Sequence, residues 1–106
     1  MSRPAKAFVA LFLANGGAVV LIWWGGLDPG ELDSLAGRLN AAGRITALAG
    51  TYLVLVQLIL RTHVPWLVAA FGTDALKAAH TRNAYAVFAL LGAHTALQTA
   101  GYALER

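Results

Sequence analysis

Residues 76–103 read LKAAHTRNAYAVFALLGAHTALQTAGYA, and this stretch contains two of the three histidines of the chain, His80 and His94. The two residues are 94 − 80 = 14 positions apart. On an α-helix this separation corresponds to a rise of roughly 21 Å and to a rotation about 40° short of four full turns. Both imidazoles are therefore expected on nearly the same helix face, one towards each side of a hydrocarbon layer about 30 Å thick.

The composition of the chain indicates a membrane protein with a single domain. Its 106 residues are 58% hydrophobic and only 12% charged, whereas a soluble domain usually has about 25% charged residues. The net charge of +3 comes from basic residues scattered beside apolar runs, which argues against binding of nucleic acid. Because the chain has no cysteine, disulfides, thiolate zinc sites, cysteine-held iron–sulfur clusters and covalently attached haem are excluded.

Three apolar runs predict three membrane-spanning helices, over about 7–27, 43–61 and 82–103. The first run has 27 − 7 + 1 = 21 residues, which is longer than the apolar region of about 7–15 residues in a signal peptide. It also ends on Trp23 and Trp24, and tryptophan is enriched at membrane interfaces. The first run is therefore interpreted as a membrane span.

The segments between the spans have distinct patterns. After the turn at 28–30, Leu32, Leu35 and Leu39 are spaced by three and four residues, which predicts a short amphipathic helix on the membrane surface, with a solvated loop as the alternative. Residues 61–72 are predicted to form a polar turn in which His63 is a solvated loop residue. The last helix is predicted to run unbroken from about 74 to 104, beginning at a Thr-Asp pair.

Basic residues predict the orientation in the membrane. Arg3 and Lys6 precede the first span, and Arg61, Lys77 and Arg82 lie between the second and third. Since cytoplasmic loops carry an excess of lysine and arginine, the N-terminus is expected in the cytoplasm and the C-terminus outside. The sequence thus predicts an all-α, multi-pass protein of a bacterial-type plasma (inner) membrane.

A histidine inside a bilayer is energetically costly and is usually functional. Two histidines on one face of a membrane helix match the axial ligands of two haems stacked across the bilayer, so His80 and His94 are predicted ligands of haem iron. The alternative is structural: His94 would form a hydrogen bond across a helix interface to a threonine or a carbonyl, and His80 would be a boundary residue in contact with water.

The surroundings of the two histidines fit the haem interpretation. Ala84, Val87 and Leu91 lie between them on the same face and are apolar and small to medium in size, as a face packed against porphyrin would be. Arg82 and Lys77 could pair with haem propionates, although a basic side chain that reaches out to the interface is ordinary at this depth.

Three motifs resemble the ferric reductase-like transmembrane domain that ferric reductases and NADPH oxidases share. They are GRITALAG at 43–50, R-x-x-V-P-W-L followed by F-G-x-D-x-L within 61–76, and the histidine spacing from His80 to His94. The resemblance covers about half of the chain, from Gly43 to His94.

This resemblance implies a six-helix bundle with two b-type haems, each ligated by two histidines. Electrons would pass from a cytoplasmic flavin and nicotinamide reductase to the inner haem, the outer haem and an external acceptor, ferric iron or oxygen. By the same resemblance, His80 would ligate the inner haem and His94 the outer haem. The partner histidines of this family lie on a later helix, and its FAD and NAD(P)H domains follow the bundle.

The chain is accordingly expected to form the first half of such a bundle, without a complete active site of its own. Its expected partners are the lipid bilayer, further transmembrane helices or a second subunit, and a separate flavin reductase domain. The alternative from another class is a haem-free structural or interaction subunit, whose helices pack through small residues and whose histidines are interhelical hydrogen-bond donors.

Overall fold

The structure is a computed structural model that describes residues 2–62 and 64–105. Within these residues the chain forms the α-helices α1 (Arg3–Gly25), α2 (Leu35–Arg61), α3 (Pro65–Phe71) and α4 (Thr73–Glu105), a 3-10 turn at Glu31–Asp33, and no strand. The prediction of an all-α fold is confirmed, and so is the unbroken last helix. His63, predicted to be a solvated loop residue, lies outside the described residues.

The three long helices lie side by side with alternating direction. Near one end of the bundle, Tyr52 of α2 donates its hydroxyl to the carbonyl of Phe12 of α1 over 2.6 Å. Near the other end, the indole nitrogen of Trp23 donates to the carbonyl of Ala41 over 2.8 Å. Because α4 also runs antiparallel to α2, α1 and α4 run in the same direction. The bundle measures 53 × 23 × 17 Å.

Two helices, α1 and α2, are long and apolar enough to cross a membrane. In the most apolar 18-residue segment of α1 no residue is buried. In the corresponding segment of α2 only 17% of the residues are buried. The core helix of a soluble protein would be mostly buried, so this exposure favours a lipid bilayer as the surroundings of both helices. Helix α4 does not reach the same mean hydropathy, because it contains polar residues such as Asn83, His94 and Gln98.

The prediction of a separate amphipathic helix between the first two spans is wrong. The 3-10 turn is followed directly by α2, whose N-terminus is capped by Ser34 through its side-chain oxygen, 3.0 Å from the Gly37 amide nitrogen. The helix then continues through Gly43 into the second apolar run. Gly43 does not break α2, because it is buried at the α4 interface, where the Gln98 side chain takes the space of a β-carbon.

The predicted polar turn at 61–72 is also wrong, since most of it is the short helix α3. Pro65 is the first residue of α3, a position that suits its fixed φ angle and its missing amide hydrogen. One face of α3 is apolar and packs on α1: the ring of Phe8 lies 5.8 Å from that of Phe71 and 6.3 Å from that of Trp66. Leu67 of α3 is completely buried and packs with Val56 and Leu60 of α2 and Leu76 of α4.

Candidate functional site

The site is organised by the interface between α2 and α4, where polar side chains of each helix bond to the other. Asn83 donates from its side-chain amide to the carbonyl of Leu53 and to Oε1 of Gln57, both over 2.8 Å. Gln57 in turn donates to the main-chain carbonyl of His80 over 3.1 Å. These bonds fix the register of the two helices at the end of the bundle that contains α3.

A second polar group fixes the opposite end. Gln98 donates from Nε2 to the carbonyl of Asn40 over 3.0 Å, and Asn40 donates from Nδ2 to Oε1 of Glu105 over 2.6 Å. The Oδ1 atom of Asn40 is buried against Gly101, and it has no hydrogen-bond partner among the described residues. Asn83 and Gln98 of α4 are thus bonded to α2, whereas other polar residues of α4, such as Arg82 and Thr95, are exposed.

His94 lies between these two groups and is bonded to α2. Its Nδ1 atom is 2.8 Å from the carbonyl oxygen of Gly43. Since a carbonyl can only accept, Nδ1 must carry the hydrogen, which in a neutral ring leaves the lone pair on Nε2. Metal-ligating histidines are commonly held in this way, with the other ring nitrogen bonded to a carbonyl.

His94 lines a polar cavity of about 390 Å³ together with Asn40, Arg44, Gln98 and Tyr102. Within 2–62 and 64–105, no protein group forms a hydrogen bond with Nε2. Arg44 is paired with Glu31 of the 3-10 turn. The hydrogen bond of Glu31 with the Asp28 amide and its contact with Arg44 hold the pKa of this carboxyl below its ordinary value.

His80 is half-buried at the opposite end of the interface. It lines a second cavity of about 390 Å³ together with Leu60, Arg61, Leu76, Lys77 and Thr81. The Thr81 hydroxyl donates to the carbonyl of Lys77 over 3.2 Å, so the polar hydrogens available to a ligand in this cavity belong to basic side chains. A cavity of this kind suits an anionic group placed next to an imidazole.

Arg82, the third predicted cofactor-binding residue, lines a different cavity. That cavity lies between α1, α2 and α4 and includes Phe8 and Phe12 of α1. The structure therefore brings His80 together with Lys77 and Arg61, and it does not bring His80 together with Arg82. Leu91, which was predicted to face a porphyrin, packs over Gly50 of α2. A β-carbon built at Gly50 would lie 3.2 Å from the Leu91 side chain.

The donor set fits a haem in kind but supplies one ligand per iron. An imidazole with Nδ1 bonded to a carbonyl and Nε2 open is a suitable axial ligand, as seen at His94. No group of three or more metal-ligating side chains occurs within the described residues. His80 and His94 line separate cavities, so each cavity has one histidine among the described residues.

Four residues of the site could not be identified from the histidine pattern: Asn40, Gly43, Gln98 and Gly101. The signal available in the sequence was the presence of two amides and two glycines inside long apolar runs. Their roles depend on which helix faces which, because Gly43 makes room for Gln98 and Gly101 makes room for Asn40. That pairing exists only in the folded bundle.

Comparisons of the chain with models of known protein families, with characterised proteins and with solved structures reveal no match.

Proposed function

We propose that this chain forms half of a transmembrane electron-transfer module, in which His80 and His94 each provide one axial ligand to a b-type haem. The observation that carries the proposal is the hydrogen bond of His94, whose Nδ1–H is held by the Gly43 carbonyl while the residue lines an open cavity. A haem bound there would supply one-electron redox chemistry. The chain itself would position and insulate the electron carriers.

The two histidines are well separated for this role. They line two cavities at opposite ends of the α2–α4 interface, about 21 Å apart in helix rise. At the His80 end, Lys77 and Arg61 line the cavity and are the cations suited to pair with propionates, whereas Arg82 lines another cavity. The remaining ligands, the FAD and NAD(P)H domains and an external acceptor such as ferric iron or oxygen would belong to other helices or subunits.

The proposal requires α4 to cross the membrane as a third span. Helix α4 is antiparallel to α2 and bonds to it from Gln57 and Asn83 at one end to Asn40 and Gln98 at the other. If α2 spans the bilayer, α4 spans the same thickness. Its Asn83, His94 and Gln98 side chains are then bonded to α2, which compensates in part for its lower hydropathy.

A haem-free structural subunit is the second candidate. The observation that favours it is the same His94–Gly43 bond, because an interhelical hydrogen bond is a sufficient reason for a histidine in this place. The two candidates differ in what Nε2 does. In the structural subunit Nε2 has no ligand, and only the bond from Nδ1 matters.

Titration of this chain with hemin in the presence of imidazole distinguishes the haem-binding module from the haem-free structural subunit. The detergent-solubilised protein would supply one nitrogen per iron, and free imidazole would supply the other. The haem proposal predicts a low-spin b-type spectrum with two haems per chain, and one haem per chain in His94→Asn. The asparagine amide can still donate to Gly43, so the helices should stay paired. Equal haem content in both proteins would exclude His94 as a ligand.

A further inference from the structure

An apolar cavity of about 560 Å³ lies between α1, α2 and α4, at the end of the bundle that contains α3. Its walls include Phe8 of α1, Val56 and Leu60 of α2, and Ala79 of α4, and Arg82 lies at its polar edge. Its volume falls within the range of roughly 300–1,000 Å³ that is typical of small-molecule sites. Neither histidine of the proposed haem site lines it.

This cavity is part of a loose contact between α1 and the rest of the bundle. Two more apolar cavities, of about 380 and 320 Å³, also lie along α1 and share Phe12 with the first. Apolar walls without partner atoms lose their dispersion contacts, so grooves of this size are expected to be filled. For a helix as apolar and exposed as α1, the available filling material is the acyl chain of a lipid.

Arg82 decides which lipid fits. The side chain is exposed and forms no salt bridge with an acidic residue of the described chain, and its hydrogen bond is a long one, from Nε to the Ala78 carbonyl at 3.5 Å. The terminal nitrogens of the guanidinium are therefore available, and a guanidinium binds phosphate through two parallel hydrogen bonds. The neighbouring Asn83 offers no competing donor, because its amide is bonded to α2.

The position of Arg82 also matches the depth of a phospholipid headgroup. The cavity lies at the end where α1 begins at Arg3 and α2 ends at Arg61, the boundary of both apolar helices. Basic pockets between transmembrane helices on the cytoplasmic side are known to bind anionic headgroups. We propose that this cavity binds one acyl chain of an anionic phospholipid, whose phosphate is held by Arg82.

The test compares phosphatidylglycerol with phosphatidylcholine on the purified full-length chain, by native mass spectrometry from detergent. Wild type should retain phosphatidylglycerol preferentially. Arg82→Gln should reduce that preference about fivefold, the factor expected when one cation near the surface no longer attracts an anionic lipid. The matched control is Lys6→Gln, because Lys6 is an exposed cation near the same end of the bundle that does not line this cavity. An equal loss in both variants would indicate general surface charge and would overturn the proposal.

A second variant tests the apolar part of the cavity. Val9→Trp fills the groove from the loosely packed helix α1, and it should reduce retention of both lipids while the helix content measured by circular dichroism is unchanged. Unchanged retention of the lipids would exclude this cavity as the binding site of the acyl chain. Excess inorganic phosphate should leave phosphatidylglycerol bound, and its displacement would assign the site to free phosphate. The haem proposal is unaffected by these outcomes, because it depends on other residues.

Discussion

The Nδ1 atom of His94 lies 2.8 Å from the carbonyl oxygen of Gly43, and this bond joins the histidine-bearing helix α4 to the apolar helix α2. Gly43 can take part because it has no side chain, and the space where a β-carbon would lie is occupied by Gln98 of α4. The bond orients the ring and assigns the proton to Nδ1. It serves helix pairing directly, and it leaves Nε2 in the form that an iron ligand requires.

The contribution of this bond to stability can be separated from any role in ligation. His94→Leu removes the donor and should lower the free energy of unfolding in detergent by about 0.6 kcal/mol and at most by about 1.7 kcal/mol, the average and the maximum measured for interhelical hydrogen bonds in a membrane protein. His94→Asn retains a donor at the position of Nδ1 and should lose less. Denaturant titration followed by circular dichroism measures both values, and equal losses would show that the Gly43 bond contributes little.

The close contact at Gly101 predicts a strong effect of adding one methyl group. An ideal β-carbon at Gly101 would overlap Oδ1 of Asn40, whose buried side chain is also bonded to Glu105. Gly101→Ala should therefore destabilise the α2–α4 pair by about 1–3 kcal/mol through overpacking. The control is Gly92→Ala on the same helix, where no atom lies within 4 Å. This substitution should be neutral or stabilising by up to about 1 kcal/mol.

Asn83 is predicted to contribute to helix pairing through two hydrogen bonds. Asn83→Leu removes the bonds to the Leu53 carbonyl and to Gln57, and it should cost about 1–2 kcal/mol although it makes α4 more apolar. Tyr85→Leu is the control, because the Tyr85 side chain is 73% exposed. Thermal unfolding in the same detergent gives the comparison. If Asn83→Leu were more stable than Tyr85→Leu, the gain in hydropathy would contribute more to the stability of α4 than the two interhelical hydrogen bonds do.

The turn between α1 and α2 is predicted to weaken in acid. The Asp28 amide and Arg44 hold the pKa of Glu31 below its ordinary value, so the ionised form stabilises the folded turn. This contribution is fully present above the unfolded pKa of about 4.3 and is lost as the pH falls through the lower folded value. A pH titration of the Asp28 amide chemical shift by NMR should report that folded pKa. Arg44→Gln should raise the midpoint, and an unchanged midpoint would contradict the pairing.

The crossing of the membrane by α4 can be tested by single-cysteine labelling, because the natural chain has no cysteine. In intact bacterial cells, Leu104→Cys at the end of α4 should react with a membrane-impermeant maleimide. Ser2→Cys before α1 should react only after the membrane is permeabilised. Protection of both sites, or labelling of both, would place the two ends on the same side and would contradict three spans.

Much of the secondary structure could be predicted because it depends on local patterns. The unbroken helix α4 begins at Thr73 and Asp74 and contains no proline, and the apolar runs around 7–27 and 43–61 correspond to α1 and α2. The element boundaries that were predicted wrongly depend on tertiary contacts. Gly43 is tolerated inside α2 by its contact with Gln98, and the segment 65–71 becomes helical where its apolar face meets Phe8.

The candidate site shows the same division. The sequence by itself determined that the chain is helical and mostly apolar and that His80 and His94 lie about 21 Å apart along one helix, because these properties follow from composition and helix geometry. Only the tertiary structure decided that His94 bonds to Gly43 and that Arg82 lines a cavity beside α1. Those relations depend on how α1 and α2 are placed against α4, which is fixed by contacts between residues distant in the chain.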